Sequence, residues 1–140
     1  MKHLVFALIA VTSLHLTLQA EDPVHQKTIV PQGKAGLGKK IFVEKGCYKC
    51  HTVKDTELPK IEVDPTYAIP LGEQDHAGWT RDQYGAAIMN PNHTVAEEYR
   101  ILMMTLGDHF KAENSPMPSF NEFLTISDLI NLATFLSELP

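Results

Sequence analysis

The chain has 140 residues, a formal net charge of −5 and a sequence pI near 5.7. That length allows one domain with a short tail. The acidic balance argues against a nucleic-acid partner, which would select a basic surface.

Taken in chain order, Lys2 and His3 precede a mostly apolar run from Leu4 to Leu18. Leu18-Gln19-Ala20 then offers a small residue before Glu21-Asp22-Pro23. Residues 1–20 read as a signal peptide. The run is shorter than the about 20 residues of a bilayer span, and His15 interrupts it, so an uncleaved anchor is the weaker reading. Either way the domain is exported, and a periplasmic location is expected. Residues 21–33 carry Pro23 and Pro31 without periodicity and read as a flexible lead-in. The domain proper is expected over 34–140.

The first helix is expected from Lys34 to Gly46, with Leu37, Ile41 and Phe42 facing inward at helical spacing. Gly46 is its stop signal. Directly after it comes Cys47-Tyr48-Lys49-Cys50-His51, which holds the only two cysteines of the chain. Residues 52–78 read as a long loop with Pro59, Pro65, Pro70, Gly72 and Gly78. Thr80 is a candidate N-cap for a helix running to Met89, with Asp82 in its first turn. Asn90-Pro91-Asn92 breaks it. Another helix is expected from Val95 to Leu106, stopped by Gly107, with loop from Asp108 to Asn121. The last helix starts at Thr125 or Ser127 and carries an apolar stripe at Leu129, Leu132, Ala133, Leu136 and Leu139. No segment reads as a strand.

The C-x-x-C-H pattern decides the chemistry. Two thiols at this spacing can add across the two vinyl groups of a porphyrin, and the next imidazole can bind the iron, which makes this the signature of covalent haem c attachment. A thioredoxin-like dithiol expects a βαβ setting and no such histidine. A closed zinc site needs four ligands, and no second cysteine pair exists. A structural disulfide closing so short a loop gains little.

A histidine-bound haem iron in an electron carrier takes a second protein ligand, commonly methionine or histidine. Met117 lies in Ser115-Pro116-Met117-Pro118-Ser119-Phe120, where two prolines restrict the backbone. Met89, Met103 and Met104 fall in expected helices and read as core filler. His76, His93 and His109 read as surface histidines, with His76 and His109 as the bis-histidine alternatives.

These motifs resemble the class I cytochromes c, over Lys34 to Leu139. The resemblance includes the Met-Pro pair before the last helix and the Gly38–Phe42 pair, where the glycine lets another helix cross closely. It also includes Pro70-Leu71, Ile88-Met89-Asn90-Pro91, and Phe135 as an aromatic that packs on the first helix. It implies an all-α cytochrome c fold of about four helices, with long loops wrapped around one covalently bound haem. Cys47 and Cys50 would tether the haem, and His51 and Met117 would be the axial iron ligands. The family often places a proline about a dozen residues after the ligand histidine, whose carbonyl accepts the imidazole proton. Here Pro59, Pro65 and Pro70 compete for that role. Trp79 reads as core or as a propionate partner.

The function so implied is single-electron transfer by Fe(III)/Fe(II) cycling, with no catalytic residue. The alternatives are a cytochrome subunit of a larger periplasmic oxidoreductase, for example a sulfur-compound dehydrogenase, and a haem enzyme or sensor with an open sixth site. Redox donor and acceptor proteins are the expected partners. From Lys34 to Lys60 there are seven lysines against Glu44, Asp55 and Glu57, while the chain after Ile61 holds three cations against twelve acids. A positive face near the haem edge would speed encounter with an acidic partner.

Overall fold

The computed structural model describes residues 29–140. The expected signal peptide, and the lead-in as far as residue 28, lie outside the described residues. Five α-helices occur among them: α1 (Ala35–Glu44), α2 (Arg81–Met89), α3 (Glu97–Thr105), α4 (His109–Glu113) and α5 (Ile126–Ser137). Two three-residue strands, β1 (His51–Val53) and β2 (Ile69–Leu71), pair in parallel. None of these helices is long and apolar enough to cross a membrane.

The crossing of α1 and α5 organises the core. Gly38, Ile41 and Phe42 form the buried face of α1. They meet Leu132, Ala133, Phe135 and Leu136 of α5. Phe42 and Phe135 touch edge to face, with ring centroids 5.8 Å apart, the arrangement their quadrupoles favour. Gly38 permits this approach. A Cβ there would collide with the backbone carbonyl of Asn131. The crossing also fixes the chain entering α1. Gly33 N–H donates to Thr134 Oγ1 and Lys34 N–H to Asn131 Oδ1, each at 2.8 Å. Just upstream, Ile29 and Val30 donate their N–H groups to the Asp82 carboxylate of α2.

Local chemistry sets the remaining boundaries. Thr80 and Gln83 form a capping box at the start of α2, and Thr125 and Asp128 form one at the start of α5. Each satisfies two backbone N–H groups that have no partner within the helix. Gly46 lies in the left-handed region at φ 74° and accepts the turn that ends α1 without a Cβ penalty.

The structure departs from the sequence reading in four places. Leu37 is 45% exposed rather than inward, because the face of α1 is centred on Gly38 and Phe42. The loop of residues 52–78 contains β2 and begins within β1, so the expectation of no strand fails; three residues are too few to show a period. A fourth helix, α4, interrupts the expected loop after Gly107. Leu139 lies beyond the end of α5 but still packs on the core, beside Gly72. Helix α3 packs mainly on α4, around a small second cluster of Tyr99, Met103 and Ala112.

Gly38→Ala is expected to cost roughly 3 kcal/mol, since overpacking here meets backbone rather than a movable side chain. Gly36→Ala, where a Cβ meets nothing within 4 Å, is expected to stabilise by up to about 1 kcal/mol through helix propensity. Denaturant unfolding of the two variants measures both.

Candidate functional site

The turn allowed by Gly46 feeds a short 3-10 segment, Cys47–Lys49, which leads straight into β1. Cys47 is half-buried and Cys50 exposed, and both are free thiols. Burial pushes the Cys47 thiol up to about 11, with the neighbouring Cys50 adding to the rise and a backbone hydrogen bond opposing it. It is therefore a neutral thiol at ordinary pH.

His51 opens β1. Its register partner is Ile69, and its ring Nδ1 lies 3.2 Å from the Ile69 carbonyl oxygen. A carbonyl can only accept, so the contact assigns the proton to Nδ1 and leaves a lone pair on Nε2. Burial pushes the imidazole down to about 4, outweighing the Ile69 hydrogen bond, which acts the other way. The ring is therefore neutral at ordinary pH, the form that binds a metal. The accepting carbonyl belongs to none of the three competing prolines. It belongs to the residue before Pro70, delivered by the β1–β2 pairing.

Cys47, Cys50 and His51 open onto a cavity of about 1040 Å³. Its walls come from every quarter of the fold and are mainly apolar: Phe42 from α1, Leu71 from β2, Ile88 from α2, Tyr99 from α3 and Leu136 from α5. Met117 lines the same cavity from the loop between α4 and α5. That loop is held at Ser115, whose N–H donates to Asn92 Oδ1 at 2.8 Å and whose Oγ accepts from Met117 N–H at 3.1 Å. The four residues named from the motifs are thus brought to one space.

Of the other sequence candidates, Met89 and Met104 are exposed, at 45% and 51%, and do not line the cavity. His93 and His109 are exposed and also stand away from it. Met103 is buried in the α3–α4 cluster and reaches the cavity wall. His76 is corrected from surface to interior: it is 9% exposed and lines the cavity. Its ring lies 4.5 Å from Trp79 and 6.5 Å from Tyr84, centroid to centroid. Its backbone carbonyl accepts from Tyr84 Oη at 3.2 Å. The available signal was the run of three ring residues, His76, Trp79 and Tyr84, within nine positions.

Lysines at the cavity are Lys45, Lys49 and, from α4, Lys111. Lys49 pairs with Glu62 at 3.1 Å and Lys111 with Asp108 at 2.9 Å, while Lys45 Nζ donates to the Phe123 carbonyl.

A family model described as Cytochrome c matches residues 35–140. No curated protein and no solved structure matches the chain.

Tyr84→Phe leaves the His76 carbonyl without its buried donor. The expected loss is about 1 kcal/mol, read as a fall in the thermal midpoint, with helix content unchanged by circular dichroism.

Proposed function

Because the chain belongs to the cytochrome c family, a family of haem-binding electron-transfer proteins with covalently bound haem c, we propose that it is an exported carrier of single electrons with His/Met-ligated iron. In this reading Cys47 and Cys50 hold the haem through thioether bonds. His51 Nε2 and the Met117 sulfur would bind its iron. When bound, the haem supplies an iron that accepts and releases one electron.

The residues fit such a group. The cavity is at the large end for cofactor pockets, mostly apolar with few polar groups. Two unpaired thiols and a neutral imidazole open onto it. The observation that carries the reading is the His51–Ile69 hydrogen bond, which leaves Nε2 as a lone-pair donor. Partners of this kind fix the tautomer of a metal-bound imidazole and raise its basicity.

The protein's work is positioning and tuning. Pro116 and Pro118 narrow the conformations of the Met117 backbone, and the Asn92–Ser115 hydrogen bond anchors the loop. Less entropy is then lost when the thioether is held in place. Its soft sulfur favours the reduced iron relative to a second histidine. The apolar walls disfavour the state with the larger net charge. With His51 and Met117 both committed to the iron, small molecules would find no open position, which suits a carrier rather than an enzyme.

Donor and acceptor proteins would meet the rim bearing Lys45, Lys49 and Lys111, through small, short-lived interfaces. A fixed subunit of a larger oxidoreductase is the second reading. The exposure of Ile101 and Met104 along α3, at 57% and 51%, favours it, and the native mass of the purified protein decides between the two.

Optical spectra test the ligation. Met117→Ala is expected to lose the red-end methionine band of the oxidised protein. Its potential should fall by about 0.1–0.2 V, a fraction of the roughly 0.8 V that axial ligands span. Met103→Ala is expected to keep the band. The reverse outcome would move the ligand to α3. Cys50→Ser is expected to fail normal maturation, seen as loss of coloured protein in the exported fraction.

A further inference from the structure

His76 is a buried titratable group on the cavity wall, and the carrier reading gives it no task. It ends the 3-10 turn Gln74–His76. The Pro70 carbonyl raises the ring's proton affinity, and Trp79 and Tyr84 hold the ring from the sides. In its neutral form the imidazole has one N–H and one lone pair that can take a proton.

The ring also stands between two spaces. Besides the large cavity it lines a second one of about 440 Å³, shared with Thr52, Thr66, Gln74 and Glu98. Residues on that second wall, Pro65, Thr66, Tyr67, Gln74 and Glu98, are exposed, so water reaches it. His76 thus faces the haem cavity on one side and a wetted pocket of mixed polar and apolar lining on the other.

We infer that His76 is a proton-binding site coupled to the iron, gaining a proton from water in the second pocket when the protein accepts an electron and returning it when the electron leaves. The inference rests on the carrier reading. The electron comes from the donor protein and the proton from solvent. One N–H bond forms at the imidazole on reduction and breaks on oxidation. The driving force is electrostatic: the oxidised centre carries one more positive charge, which repels an imidazolium across a medium of low dielectric. Reduction removes that charge and raises the proton affinity, and by linkage the proton raises the electron affinity equally.

The groups facing His76 allow such a titration. Burial lowers its affinity, and Asp75 beside it and the Pro70 carbonyl raise it. From β1, His51 is neutral at ordinary pH. From α2, Tyr84 is raised by burial and stays a neutral phenol. From α3, Glu98 accepts from Asp75 N–H at 3.3 Å and is raised by burial, while the contact with Glu98 lowers Asp75. Tyr99 from α3 is raised by burial, and Tyr67 completes the second pocket's wall. Asp75 is thus the anion placed to stabilise an imidazolium.

The test is the midpoint potential of the holoprotein against pH, with NMR titration of the His76 ring in both oxidation states. The potential is expected to be flat at high pH, to rise as pH falls through the histidine range, and to level off again. A tenfold difference in proton affinity between the states separates the two plateaus by about 59 mV. His76→Gln, a polar side chain that does not titrate, is expected to flatten the curve while keeping the visible spectrum. An unchanged slope in that variant, or ring titrations identical in the two oxidation states, would overturn the inference. A reversible one-electron couple with a pH-independent potential sinks the proton site alone. Absence of any couple sinks the carrier reading as well.

Discussion

One hydrogen bond, from His51 Nδ1 to the Ile69 carbonyl, is the constraint on which the site depends. It decides which ring nitrogen keeps a lone pair and which way that nitrogen points. It exists because two three-residue strands pair in a fixed register. Pro70 sits in the middle of β2 and has no N–H to give, which is tolerable only in a ladder this narrow. The bond's net strength is modest, about 1 kcal/mol. Its value lies in fixing the tautomer and orientation of the imidazole.

The scaffold around that bond has a clear division of labour. The α1–α5 crossing at Gly38 is the rigid part, packed tightly enough to exclude a methyl group. It holds Gly46 and therefore the turn that presents the two thiols. The α3–α4 unit has a small core of its own and meets the rest chiefly across the cavity and through side-chain contacts such as Glu97 N–H to the Asp75 carboxylate at 2.8 Å. So large an apolar space at the centre of the fold means that the helices reach their full burial only against a cofactor. Covalent attachment suits such a design, since a tethered group does not leave by mass action.

Much of this was written locally and could be read directly. The stripe of α5, the Thr80 cap and the Gly46 stop each depend on residues within one or two turns. The spacing of Cys47, Cys50 and His51 is equally local, and so was the Pro-Met-Pro loop. What escaped depends on contacts distant in the chain. The strand partner of His51 lies 18 residues away in segments too short for a pattern. Leu37 and Ile41 look equivalent by period, and only the position of α5 decides that Leu37 faces out. His76 has no buried-helix pattern around it. Its burial comes from Trp79 and Tyr84 packing over a turn.

The most direct test of the central claim is the mass of the denatured, solvent-extracted chain, with its thiols offered to an alkylating reagent. The account expects one haem to remain on the peptide containing Cys47 and Cys50, and neither sulfur to be alkylated. A chain with the mass of polypeptide alone, its two cysteines alkylated or joined to each other, would contradict it.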